Sequence, residues 1–279
     1  PAKINLTLRV LGRRPDGYHE LESLVAFASL GDRLTLHPGG AFALTVSGPF
    51  ASALDSENLV ATAVHRARAA APQLGIGAFH LEKNLPVAAG LGGGSSDAAA
   101  ALRALRRANP AASLDWPALA ATLGADVPVC LDGRSAVMRG IGERLHPVAR
   151  LPGTAIVLAN PRLPLGAGDV FRALNAAPLQ ASAVSNASPP SFASRDDLVA
   201  YLQASANDLE APAKKLCPEI ARIQAALAAQ SGARVVRMSG SGPTCFALFS
   251  NRAEADTAAA AIARHESGWW LAATEIVGA

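Results

Sequence analysis

Cysteine is scarce in this chain: 279 residues carry three, Cys130, Cys217 and Cys245, widely spaced and set among apolar neighbours. An odd count at such spacing fits neither a disulfide framework nor a zinc site, and reads as reduced thiols in a cytoplasmic interior. Long hydrophobic runs are missing as well. No apolar stretch reaches the roughly 18 residues of a membrane helix, and no basic segment leads into an apolar signal core. The chain opens on Pro1 rather than Met, so residues are expected to precede it. Strong charge of either sign is absent. Charged residues make up 17% and the net charge is +3, too mild to name nucleic acid or a membrane as partner. Arg103, Arg106 and Arg107 read as a solvated helix face rather than an RNA-binding stripe. Half of the residues are hydrophobic, which implies a globular chain of one large or two modest domains.

Lysine is scarce too. Of 25 basic residues, the lysines are Lys3, Lys83, Lys214 and Lys215. A chain that uses arginine wherever a surface cation will do draws attention to a lone lysine, whose compact ammonium does what a guanidinium fork cannot. That argument points to Lys3.

What is abundant is glycine in one place. Residues 90–97 read Gly-Leu-Gly-Gly-Gly-Ser-Ser-Asp and run into Ala98, Ala99, Ala100 and Ala101. Glycines leave no Cβ to hold a ligand away from the backbone and allow positive φ, so successive N–H groups converge on an anion. Ser95, Ser96 and Asp97 offer N-cap chemistry to the following helix, whose positive end faces the loop. Bare amides running into a helix N-terminus make a phosphate site; the plainer reading is a tight turn with a well-capped helix. A Walker loop is excluded, because no lysine follows the glycines. A dinucleotide fingerprint fails at Ser95, and Asp115 ahead of Trp116-Pro117 reads as a helix cap.

Alternation in Ala2–Val10 predicts a half-buried strand whose polar face carries Lys3 and Asn5. A loop with a Pro15-Asp16-Gly17 turn follows. Further strands are predicted near 22–29, 32–37, 41–47 and 76–82, helices over 57–71, 96–109 and 116–123, and a hairpin over 135–147. After a boundary near 150–153, a strand is predicted over 154–160 and a surface loop over 177–194. A helix over 208–230, strands over 233–238 and 244–249, a helix over 252–266 and a strand over 269–276 complete the chain. The order β-α-β-β-α-β resembles a ferredoxin-like unit. Domains of residues 1–152 and 153–279 are expected.

The pattern Pro86-Val87-Ala88-Ala89-Gly90-Leu91-Gly92-Gly93-Gly94-Ser95-Ser96 resembles the phosphate loop of the GHMP kinases. Four more segments, in order, strengthen the likeness: Pro1-Ala2-Lys3-Ile4-Asn5-Leu6, Arg14-Pro15-Asp16-Gly17-Tyr18-His19-Glu20-Leu21, Leu123-Gly124-Ala125-Asp126-Val127-Pro128-Val129 and Ser239-Gly240-Ser241-Gly242-Pro243-Thr244. Asn207-Asp208-Leu209-Glu210 matches another family signature. Together they resemble the branch of that family that phosphorylates the 2-hydroxyl of a methylerythritol carried on CDP. The resemblance implies an α+β N-terminal domain and a ferredoxin-like C-terminal domain with the active site between them. ATP is implied, as MgATP, with no protein metal site, and the oligomeric state is left open. Residues 86–96 would bind ATP, and the Ser239–Gly242 turn would approach its phosphates; alone, that turn simply joins two strands.

Asp126 is the candidate base, a carboxylate in an apolar setting that needs a partner or a task. Lys3 is the candidate partner, offsetting charge on the transferring phosphoryl. Taken alone, Asp126 reads as a turn residue ahead of Pro128 and Lys3 as a strand-edge lysine; the family makes them the catalytic pair. Asn5 is placed to hydrogen-bond substrate. The resemblance gives Tyr18 and His19 to the cytosine, with Phe171 opposing; alone, Phe171 is a core residue and His19 a surface one. Two departures stand out. Ala88 and Ala89 replace the family's usual glycines, and Gly166-Ala167 replaces a usual Ser-Thr pair. Other GHMP kinases, acting on homoserine or in the mevalonate pathway, are the nearest alternative. A non-catalytic nucleotide- or RNA-binding domain on the same fold is a second alternative; it would need no Lys3–Asp126 pair.

Overall fold

The computed structural model describes residues 1–54, 58–180 and 187–277. Contacts divide it into two compact units, one of residues 1–2, 31–87 and 92–133, the other of residues 3–30, 88–91 and 134–279. The division in space therefore does not follow a single cut along the chain.

The second unit is built on a nine-stranded sheet. Its strands are β1 (Lys3–Asn5), β2 (Arg9–Arg13), β3 (His19–Ala28), β7 (Ala136–Gly140), β8 (Arg144–Pro147), β9 (Thr154–Asn160), β10 (Val235–Met238), β11 (Cys245–Phe249) and β12 (Trp270–Val277). They run in the order β10-β11-β9-β12-β3-β7-β8, with β1 and β2 also on β3. β9, β10, β11 and β12, with helices α8 (Glu219–Ala228) and α9 (Arg252–Ala263), give the expected β-α-β-β-α-β unit, antiparallel throughout. β9 reads Thr-Ala-Ile-Val-Leu-Ala-Asn and is buried at every position, as a central strand covered on both faces requires. Ile220, Ile223 and Leu227 of α8 and Ala255, Ala258 and Ile262 of α9 recur at helical spacing and meet Val157, Ala247 and Phe249 in the core.

The first unit holds a three-stranded sheet in the order β4-β6-β5, from β4 (Arg33–Pro38), β5 (Ala43–Ser47) and β6 (Gly77–Glu82). The α-helices α1 (Leu59–Ala70), α2 (Gly93–Ala108), α3 (Trp116–Leu123) and α4 (Val127–Asp132) accompany it. Asn58 caps α1 through Val60 N–H, and Asp115 caps α3 through Ala118 N–H at 2.9 Å, as its sequence position suggests. The 135–147 hairpin forms as β7 and β8.

Several expectations need correction. The predicted strand over 2–10 is two strands, β1 and β2, and it is not half-buried: residues 2–8 are all buried. Lys3, Asn5 and Thr7 face the interior of the protein rather than water, while Arg9 is exposed. The helix predicted over 208–230 is broken into α7 (Glu210–Leu216) and α8. Pro218 disfavours helix at the residue before it, and Cys217 is extended at φ −135°, ψ 85°. Helices α5 (Ala167–Leu174) and α6 (Arg195–Gln203) were not anticipated, and α6 falls just beyond the predicted surface loop, of which residues 181–186 lie outside the described residues. Arg106 and Arg107 are exposed, but Arg103 is not on a solvated face: it donates to the Cys130 carbonyl at 2.5 Å and to that of Leu131. Its guanidinium stands in for the missing N–H partners at the end of α4.

Candidate active site

The glycine loop reaches its helix three residues earlier than Ser96. Helix α2 begins at Gly93, with Gly92 as N-cap in the left-handed region at φ 59°. No side chain caps it, so Ser95, Ser96 and Asp97 are not cap residues but part of the first turns. Ser96 Oγ donates to the Pro1 carbonyl at 2.7 Å. The first amides of a helix have no acceptor within it, and here they belong to Gly93, Gly94 and Ser95. They make up the positive end of the helix.

One of the loop glycines is required by the protein itself, and a second is closely packed. A Cβ on Gly90 would stand 2.5 Å from the Ser239 carbonyl oxygen and 2.8 Å from that of Gly242. A Cβ on Gly93 would stand 3.1 Å from Lys83 Nζ. Ala88, where the family pattern has glycine, sits at φ 51°, a conformation that costs an alanine about 1–2 kcal/mol.

Beneath the start of α2 lies a charge cluster that the sequence reading missed. Lys83 Nζ is 2.5 Å from Asp32 Oδ2 and 2.8 Å from Asp97 Oδ2, and the Lys83 side chain is 1% exposed. Asp32 Oδ1 also accepts the amides of Asn84 and Leu85, at 2.6 and 2.8 Å. Burial raises the Asp97 carboxyl to about 6, against the pull of Lys83 and with a further push from Asp32. The signal was present in the scarcity of lysine, which singles out Lys83 as much as Lys3.

Lys3 and Asn5 lie side by side on β1. Lys3 Nζ donates to Asn5 Oδ1 at 2.8 Å, and Asn5 Nδ2 donates to Ser23 Oγ at 2.7 Å. Both are buried. Lys3 N–H donates to the Leu91 carbonyl at 2.8 Å, tying β1 to the loop. Asp126 stands immediately before α4, half-buried, with Pro128 in the first turn. Its surroundings are thus less apolar than the sequence suggests.

His19 and Phe171 meet as stacked rings, centroids 4.9 Å apart and planes 27° apart. Partial burial, and then Arg13, lower the His19 pKa, which favours a neutral ring with one donor and one acceptor nitrogen. Tyr18 is 61% exposed beside the turn, where Gly17 N–H donates to the Arg14 carbonyl. Gly166 precedes α5 without a side-chain cap, and Ala167 is its exposed first residue.

The turn after β10 is held from both sides. Ser239 N–H donates to the Thr244 carbonyl and Gly242 N–H to that of Ser239. Asn207 Nδ2 donates to the carbonyls of Met238 and Gly240, each at 2.8 Å. Asn207 and Glu210, matched only as a signature in the sequence, therefore hold this turn, Glu210 through Met238 N–H. Among the described residues there is no group of three or more His, Cys, Asp or Glu side chains that could hold a metal ion. No helix among them is long and apolar enough to cross a membrane.

Comparison with known proteins bears on the same residues. Residues 58–134 match the GHMP kinases N terminal domain and residues 192–267 match GHMP kinases C terminal. A 4-diphosphocytidyl-2-C-methyl-D-erythritol kinase of Bradyrhizobium diazoefficiens is 50% identical, over 97% of this chain and 94% of the relative. One from Methylorubrum extorquens is 50% identical, over 99% and 97%. The crystal structure of a 4-(cytidine 5'-diphospho)-2C-methyl-D-erythritol kinase matches with a TM-score of 0.80 at 40% identity, over 100% of this chain and 98% of the other. The chain belongs to the GHMP kinases and, within them, to the 4-diphosphocytidyl-2-C-methyl-D-erythritol kinase family.

Proposed function

We propose that this chain transfers the γ-phosphoryl group of ATP to the 2-hydroxyl of 4-diphosphocytidyl-2-C-methyl-D-erythritol, a step of the non-mevalonate isoprenoid route. One observation carries the reading: half-identity to kinases of that name along 97% of the chain. ATP would enter as its magnesium complex, the metal supplying charge to the phosphates. The amides at the start of α2 receive the phosphates, within the loop of residues 86–96.

Asp126 takes the proton of the acceptor hydroxyl as its oxygen forms the new bond to phosphorus. The bond from phosphorus to the β–γ bridging oxygen breaks, and ADP leaves. Lys3 offsets the charge on the transferring group; its ammonium has three donors, and Asn5 fixes its direction. Tyr18 and Phe171 offer faces to the cytosine, and His19 offers a neutral edge while steadying Phe171. Asn5 contacts the acceptor through the remaining capacity of its amide.

Domains of residues 1–152 and 153–279 suit this family, since the two matched stretches fall on either side. Three buried free thiols support a reducing, cytoplasmic setting. A coupled ADP-release assay with the CDP-linked acceptor, homoserine and mevalonate tests the reading. ADP release with the CDP-linked acceptor alone is expected; faster turnover of either other alcohol would overturn it.

A further inference from the structure

Ser239 is fully buried, and its hydroxyl joins three segments. It accepts the Asn5 N–H at 3.1 Å, from the strand that carries Lys3. It donates its single proton to the Gly90 carbonyl at 2.9 Å, at the entrance of the phosphate loop. Its own backbone closes the turn that Asn207 and Glu210 hold in place. A hydroxyl has one proton to give, so the direction is set: the strand donates in and the loop is donated to. Neighbouring bonds repeat the tie. Lys3 N–H reaches the Leu91 carbonyl at 2.8 Å and Thr244 N–H reaches that of Ala89 at 3.3 Å. Gly90 and the turn approach so closely that a Cβ would not fit between them.

We propose that Ser239 is a positioning residue for phosphoryl transfer. Its hydroxyl fixes the register of the lysine-bearing strand against the entrance of the phosphate loop. The proposal rests on the reading of Lys3 and the loop given above. Misplacing a reacting group by about 1 Å costs roughly a hundredfold in rate, whereas binding of either substrate through its own contacts is largely retained. The effect therefore falls on kcat rather than on KM.

The test compares Ser239→Ala, Ser239→Thr and the unaltered enzyme by steady-state ADP release, with melting curves for each. Ser239→Ala is expected to lower kcat roughly tenfold to a hundredfold while both KM values move by less than about threefold. Ser239→Thr, which keeps the hydroxyl, is expected to restore kcat to within about threefold. A normal kcat in Ser239→Ala overturns the proposal, as does a loss that Thr leaves uncorrected while the protein remains folded. If Ser239→Ala fails to fold, Ser239→Cys keeps a weaker donor and acceptor at the same position. A lowered kcat with steady KM values then supports the proposal, and an unchanged kcat refutes it. Failure of the functional reading looks different: the unaltered enzyme would not use the CDP-linked acceptor. Ser239 would then be compared on homoserine or mevalonate, and inactivity on all three overturns both.

Discussion

Replacing Lys83 with methionine isolates the charge cluster beneath α2. The substitution keeps most of the side-chain volume and removes the ammonium, leaving the Asp32 and Asp97 carboxylates buried without their shared partner. Removing one member of a buried ion pair costs about 3–5 kcal/mol, or a melting point lower by on the order of 10 °C. Asp97 supplies an internal control through pH. Its carboxyl is raised from 3.8 to about 6, chiefly by burial. The folded state therefore holds that proton more tightly than the unfolded chain. Stability from this group is full below 3.8, falls as pH rises toward 6, and is flat above. The span is on the order of 3 kcal/mol. Asp97→Asn removes the titration, so it should gain part of that amount at pH 8 and lose the slope between pH 4 and 6. Lys83→Met should be most damaging at pH 8 and milder at pH 5, where a protonated Asp97 leaves one unbalanced charge instead of two. Urea unfolding midpoints at pH 5 and 8, compared with the unaltered enzyme, measure this directly. A Lys83→Met penalty under about 1 kcal/mol at pH 8, or an Asp97→Asn loss as large as that of Lys83→Met, would refute the reasoning.

Tyr18→Ala and Phe171→Ala should each raise the KM for the CDP-linked acceptor about fivefold to a hundredfold, the range of one stacked base, and leave that for ATP alone; weakened ATP with a spared acceptor would reverse the pockets. Ala88→Gly should relieve the left-handed strain and raise stability by up to about 1 kcal/mol after the greater freedom of unfolded glycine is counted, and a lower urea midpoint would contradict that. Ala167→Thr, at an exposed helix start, should lower the KM for the CDP-linked acceptor by about tenfold at most; a large loss of activity would show that this segment does not face substrate.

The sequence carried some of this and concealed the rest for physical reasons. The loop and the turn at Ser239 were legible because backbone approach demands glycine and leaves a pattern, and the β1 segment through its alternation. The purpose of individual glycines was not. Gly90 makes room for the Ser239 turn and Gly93 for the Lys83 ammonium, contacts whose partners lie far along the chain or out of pattern. Helix α2 was expected to begin late because Ser95, Ser96 and Asp97 read as N-cap residues; the buried Ser96 and Asp97, anchored by Pro1 and Lys83, instead hold its first turns. Alternation in Ala2–Val10 signalled a strand but not its depth, since polar partners such as Ser23 cannot be told from water by periodicity. The break at Pro218 was there to be read, and the apolar spacing on either side of it masked the stop.

That Asp126 takes the acceptor proton is the central proposal, and the turnover of Asp126→Asn tests it most directly. The amide keeps the shape of the side chain and cannot take the acceptor proton. The account predicts a kcat at least about a hundredfold lower, with the KM values for ATP and the CDP-linked acceptor close to those of the unaltered enzyme. A kcat near normal in the folded variant would remove Asp126 from the mechanism and contradict the account.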